Sequence, residues 1–216
     1  MLLTSDNILY IVKGIFVTLK YTLLSVSLGL GIAIILSLFR MSSYKALQKF
    51  VKVYVSLFRG TPLLIQLSLV YLALPSLTGY KISAFAAGVI AFSLNSGAYI
   101  SEVIRTGINS IDKGQFEAAK TLGIPHTLMM RDIIFPQALR NSLPSLVNEI
   151  IDLLKESALV STIGEADLMR RAQTVAAEKY IYFEPLIVAA ICYYIMVMFF
   201  SHLAKLLENR LKNDSN

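Results

Sequence analysis

The stretch GQFEAAKTLGIP, Gly114–Pro125, sets Glu117 and Lys120 around the adjacent Ala118 and Ala119 and closes on Gly-Ile-Pro. Gln115 to Leu122 are good helix formers apart from Phe116 and Thr121. Asp112 can cap the start, Gly123 suits a left-handed stop, and Pro125 prevents continuation. The pattern predicts a short helix, then a second helical segment at about His126 to Phe135 that ends before Pro136. Two small side chains side by side let another surface approach closely. An interfacial helix lying on lipid head groups is the plainer reading of the same residues. The flanks have to decide.

Those flanks are greasy. Of 216 residues, 56% are hydrophobic and 16% charged, with a mean hydropathy of +0.64, too apolar for an ordinary soluble domain. A buried all-helical domain in water would need polar faces recurring about every 3.6 residues, and several runs lack them. The net charge of +6 sits in short basic groups beside apolar spans, with no single stripe for nucleic acid. Cys192 lies in an apolar run and reads as a packing residue. With His126 and His202 far from any Cys, no metal site is expected. A cleavable signal peptide is not expected either, because the first apolar segment carries Lys13 and Lys20 and runs past signal-peptide length.

Crossing the hydrocarbon core takes about 20 mostly apolar residues. On that measure the chain is an all-α integral membrane protein, a single domain over 1–216 with five transmembrane helices. The spans are expected at about 8–39, 53–77, 82–104, 143–163 and 185–206, with a long loop at 105–142. Gly14, Thr18, Thr22, Ser25 and Gly29 form a small-residue stripe suited to close helix packing. Lys and Arg concentrate at residues 40–52, in the long loop and in the tail. The positive-inside rule then puts the amino terminus outside, and the loop and carboxyl terminus in the cytoplasm.

The run Glu117-Ala118-Ala119, then Gly123, Ile133 and Phe135-Pro136, resembles the EAA loop of ATP-binding cassette importer permeases, with Phe135 where the pattern usually has Leu. RGTPLLIQL from Arg59, AYISEVIRTGI from Ala98, FPQALRNSLPSLVNE from Phe135 and LLKESALVSTIG from Leu153 extend the resemblance to the polar amino acid branch of that family. Relatives more often show a Thr-Ser-Leu end where this chain has KESAL, Lys155–Leu159. The resemblance implies that the loop is a coupling helix docking on an ATPase subunit, with Gly114, Glu117, Ala118, Ala119, Gly123 and Pro136 as its working residues. It also implies a bacterial cytoplasmic-membrane importer, a second permease copy, an extracytoplasmic amino acid-binding protein, and ATP and Mg used by the partner. The chain itself has no G-x-x-x-x-G-K-[ST] phosphate loop, so it is not expected to be an enzyme or to bind a cofactor.

Ionisable side chains at bilayer depth cost at least about 2.5 to 3.5 kcal/mol and are candidate functional groups. Asn95, Tyr99 and Glu102 follow an i, i+4, i+7 spacing that places them on one helix face. Glu149, Asp152, Lys155 and Glu156 crowd the fourth span, where ion pairing competes with substrate contact, and Glu156 is expected deepest. The resemblance adds the hydroxyls of Ser157 and Ser161. From Leu63 to Leu77 a helix rises only about 22 Å, so the RGTP break at Arg59–Pro62 lies below the surface. Pro62 can begin a half-helix capped by Thr61, with N–H groups free for a carboxylate, or can simply kink the span. Four acids against Lys155 in the inner spans favour a cationic amino acid: arginine, lysine or histidine. An ion-coupled secondary transporter is the rival reading; it calls for inverted repeats or paired broken helices, and the sequence has one break and no second half.

Overall fold

The computed structural model describes residues 3–213, and among them every regular element is helical. The Thr4 hydroxyl accepts the Asn7 N–H and starts α1 (Ser5–Val12); after Lys13, α2 (Gly14–Met41) continues the same 37-residue span. Next come α3 (Lys45–Gly60) and α4 (Leu63–Ser68), the latter prolonged through a π turn at Leu69–Ala73 into α5 (Leu74–Thr78). Ser83 caps α6 (Ala84–Asn109), and Asp112 caps α7 (Lys113–Thr121) through the Gly114 N–H at 2.6 Å. Then α8 (His126–Leu128) passes through a second π turn, Met129–Ile134, into α9 (Phe135–Glu156) and a 3-10 segment, Ser157–Ile163. The chain ends with α10 (Leu168–Lys179) and α11 (Phe183–Asn213).

Among the described residues three helices are long and apolar enough to cross a membrane: Ser5–Met41, Ala84–Asn109 and Phe183–Leu207. The α3 and α4–α5 segments make a fourth if the pair, bent by 102°, is one span. The expected fourth span, α9, carries Glu149, Asp152, Lys155 and Glu156 and is not apolar enough to count on composition.

Packing of α2 on α6 organises the bundle. Gly14, Thr18, Thr22, Ser25 and Gly29, the stripe expected from sequence, are all buried. Helices in lipid associate by close packing, so small residues are what let backbones meet. A methyl on Gly14 would lie 2.5 Å from the Leu168 Cα. Tyr21, fully buried, stacks near Phe85 and Phe92 at 4.9 and 6.1 Å and donates to the Ala84 carbonyl at 3.3 Å. The outward faces of α2 and α11 expose Phe16, Ile35, Leu38, Ile191, Ile195 and Phe199, apolar side chains fit for lipid.

Two local expectations are corrected, and one helix is added. The second loop helix does not stop before Pro136: it runs on as α9, with Pro136 in the first turn after the π turn. A first turn tolerates a missing N–H, and the wider π turn before it makes room for the ring. Thr61 does not cap the half-helix, because its hydroxyl turns back to donate to Leu57 O at 2.9 Å; Pro62 occupies the cap position with no side-chain bond. Residues 168–179, outside the expected spans, form α10, capped by buried Asp167 through the Met169 and Arg170 N–H groups. Its inward residues Leu168, Ala172, Val175 and Ala176 recur at helical spacing, a short period easily lost beside long apolar spans.

Candidate functional site

The RGTP bend positions the site. Thr61 is extended, as the residue before a proline must be, and Pro62 has no N–H to offer the carbonyl of Phe58 four residues back. That orphaned carbonyl is recovered by two side chains, Gln66 Nε2 at 2.8 Å and Asn95 Nδ2 at 3.2 Å, and the two amides join each other at 3.0 Å. Buried polar groups need such partners, so Gln66 and Asn95 together hold the 102° bend against α6. Gln66 was not singled out by the sequence, although a Gln four residues after a membrane-buried proline is the signal that could have found it.

Beside the bend lies a cavity of about 560 Å³. Asn95 and Tyr99 line it from α6, and Glu149, Asp152, Lys155 and Glu156 line it from α9. Glu149, Asp152 and Glu156 fall at i, i+3, i+7 and share a helix face, while Leu153 and Leu154 on the other side are buried in the core. The Lys155 ammonium is spent on Asp152 at 2.7 Å, which leaves Glu149 and Glu156 with no ion-pair partner among the described residues. A second chamber of about 220 Å³ is lined by Arg59, Tyr99, Glu102, Ser110 and Asn141. Tyr99 is common to both.

Glu102 lies in the smaller chamber and is surrounded by arginines. Arg40 from α2 donates at 3.1 Å, Arg105 Nε donates at 2.8 Å, and Arg59 from the end of α3 stands at 3.9 Å. Those contacts occupy both carboxylate oxygens, so the acid that the helix-face spacing offers to a cationic substrate is instead the junction of α2, α3 and α6. Ser157 is fully buried and donates to Leu154 O at 2.7 Å, and Ser161 is also buried; neither lines the larger cavity. Asn95, Tyr99 and Glu156 are the sequence-chosen residues that do line it.

On the loop, α7 stands on a small core of its own. Ala119, 2% exposed, packs with Ile111, Met129, Ile134 and Ala138, while Glu117 and Ala118 face outward. Gly123 adopts φ +70°, a left-handed stop that side chains disfavour. A Gln115–Gln137 side-chain pair at 2.7 and 3.0 Å stitches α7 to α9, and Leu122 at the tip is 77% exposed. Gly114 and Pro136 are exposed on the same loop. The Arg131 guanidinium holds the Asp132 carboxyl below its usual range through a bidentate bond at 2.6 and 2.9 Å.

Comparisons with known proteins agree over almost the whole length. The model of the family "Binding-protein-dependent transport system inner membrane component" matches residues 26–213. A protein of Rickettsia bellii (strain RML369-C) named "Putative glutamine transport system permease protein GlnP" is 57% identical over 207 residues, 96% of this chain and 95% of that one. The arginine transport system permease protein ArtQ of Bacillus subtilis (strain 168) is 47% identical over 211 residues, 98% of this chain and 96% of that one. Among solved structures, that of an amino acid ABC transporter with histidines superposes with a TM-score of 0.91 at 44% identity, covering 97% of this chain and 100% of that chain. Members of this family are membrane subunits, and ATP hydrolysis belongs to a partner ATPase. The chain therefore belongs to the binding-protein-dependent transport system inner membrane components, as a permease subunit of the amino acid ATP-binding cassette importers.

Proposed function

We propose that the chain carries basic amino acids, arginine foremost, into a bacterial cell, taking them through the larger cavity by alternating access. The observation that carries this reading is the composition of that cavity: three carboxylates against one ammonium that is already paired. A guanidinium or ammonium entering it gains opposite charge where water is scarce, and such charge-assisted bonds are the strong ones. Asn95 and the ring of Tyr99 supply the other wall, an amide and an aromatic face suited to a cationic end. The arginine permease among the relatives supports this choice, while the glutamine permease keeps a neutral amide within the range to be tested.

The working unit is a pair of identical permease chains with the amino terminus outside and the carboxyl terminus in the cytoplasm, each chain crossing five times with α9 as the polar fourth span. Its α7 docks on an ATPase that uses ATP and Mg, with Gly114, Glu117, Ala118, Gly123 and Pro136 at or beside the contact and Ala119 supporting it from below. An extracytoplasmic binding protein delivers the substrate. ATP binding turns the pathway outward and hydrolysis resets it inward. The carboxyl-binding end of the site is assigned to the first turn of α4, next to Thr61, where backbone N–H groups lack a side-chain cap.

Uptake of labelled arginine, lysine, histidine and glutamine by proteoliposomes holding the permease and its ATPase, with the binding protein supplied, tests the reading. ATP-driven uptake that favours the cationic substrates supports it. Preference for glutamine in both the wild type and a Glu149→Gln variant removes the basic assignment.

A further inference from the structure

The wall between the two chambers is thin and specific. Tyr99 lines both, and Arg59 lies over its ring at 5.1 Å from the centroid, in range of a cation–π contact. The larger chamber is acidic, whereas the smaller one has Arg59 at its edge and continues to Ser110 and Asn141, whose side chains are joined at 3.0 Å just before α7. A cationic substrate leaving the acidic chamber toward the loop therefore meets the Arg59 guanidinium.

Arg59 is also the loosest member of the Glu102 junction. Its nitrogen stands 3.9 Å from the carboxylate, against 3.1 Å for Arg40, and its side chain is 43% exposed. It is the penultimate residue of α3, with only Gly60 between it and the extended Thr61 at the 102° bend, so its side chain stands at the joint between α3 and α4. Arg40 and Arg105 bond the two oxygens of Glu102 without help from Arg59.

Resting on the importer reading above, we infer that Arg59, stacked on Tyr99 and held by Glu102, is the movable partition between the acidic chamber and the chamber facing the cytoplasmic loop. It closes the path by bulk and by charge. Opposing a cation is costlier than opposing a neutral amino acid, so the partition discriminates at release, and Glu102 is a positioning residue that acts through Arg59.

The test uses the assembled importer in proteoliposomes loaded with labelled L-arginine or L-glutamine and held with a non-hydrolysable ATP analogue, in the outward-open state that the cycle assigns to bound ATP. The wild type retains both labels. Arg59→Ala releases arginine at least about tenfold faster than wild type, and glutamine by a smaller factor. Tyr99→Leu, which keeps bulk and loses the aromatic face, moves arginine release in the same direction, and Arg59→Lys falls between wild type and Arg59→Ala. If Arg59→Ala does not assemble, Tyr99→Leu and Arg59→Lys decide. Retention of arginine by the variants, or release of both amino acids by one factor, overturns the partition. A separate arm, ATP-driven arginine uptake by wild type, reports on the importer reading itself.

Discussion

Glu149 and Glu156 are the residues on which substrate charge selection is expected to turn. Each borders the larger cavity without a described ion-pair partner, so neutralising either removes an attraction that no other basic side chain is already consuming. Glu149→Gln and Glu156→Gln should each lower arginine uptake about tenfold relative to glutamine uptake, the size of one charge-assisted bond, as read from competition in the same vesicles. Asp152→Asn should lower arginine uptake at least as much, since it also frees the Lys155 ammonium to oppose the cation. Gly107 marks a packing limit instead: a methyl there would lie 1.8 Å from Ser142 Oγ and 2.7 Å from Ala138 O. Gly107→Ala should cost about 1–3 kcal/mol as α6 and α9 are forced apart, seen as a lower melting temperature in detergent. The spacing of Asn95, Tyr99 and Glu102 correctly placed three polar groups on one face of α6. It could not reveal that Arg40 and Arg59 arrive from two other helices to claim Glu102, because pairing across 43 and 62 positions is set by the fold.

Two elements carry the proposed mechanics, the bend and α7. Gln66 and Asn95 restore the carbonyl that Pro62 leaves without a partner, so Gln66→Leu leaves Phe58 O to Asn95 alone and strands the Asn95 N–H that Gln66 accepted. The expected loss is about 1–3 kcal/mol of stability, measured by thermal unfolding of the purified permease. In α7 the two alanines have opposite fates, which makes the docking proposal separable from folding. Ala118→Leu, on the exposed face, should leave a well-folded permease that no longer retains the ATPase on co-purification, whereas Ala119→Leu should overpack the loop core and lower the melting temperature of the permease alone. An unchanged yield of ATPase with Ala118→Leu would remove that face from the docking surface. The caps of α7 were legible because Asp112 and Gly123 act locally. The continuation through Pro136 was not, because a π turn changes the register without a residue type that announces it.

Across the whole molecule, apolar run lengths located the three strongly hydrophobic spans, and the small-residue stripe located the packed face of α2, which meets α10 at Gly14 and α6 at Gly29. The bend and α9 were harder, since a break in one and clustered charges in the other weaken the signal by which spans are recognised. What joins these scales is the claim that an acidic cavity in a permease selects cationic amino acids and that ATP, spent on a partner, drives them through. The most direct test is uptake of labelled arginine by proteoliposomes containing the permease with its ATPase and supplied with the binding protein, compared with the permease alone under a proton gradient. The account predicts ATP-dependent accumulation by the complex, reduced about tenfold by Glu149→Gln, and none by the permease alone. Gradient-driven uptake by the permease alone, or ATP-driven uptake with no preference for arginine, would contradict it.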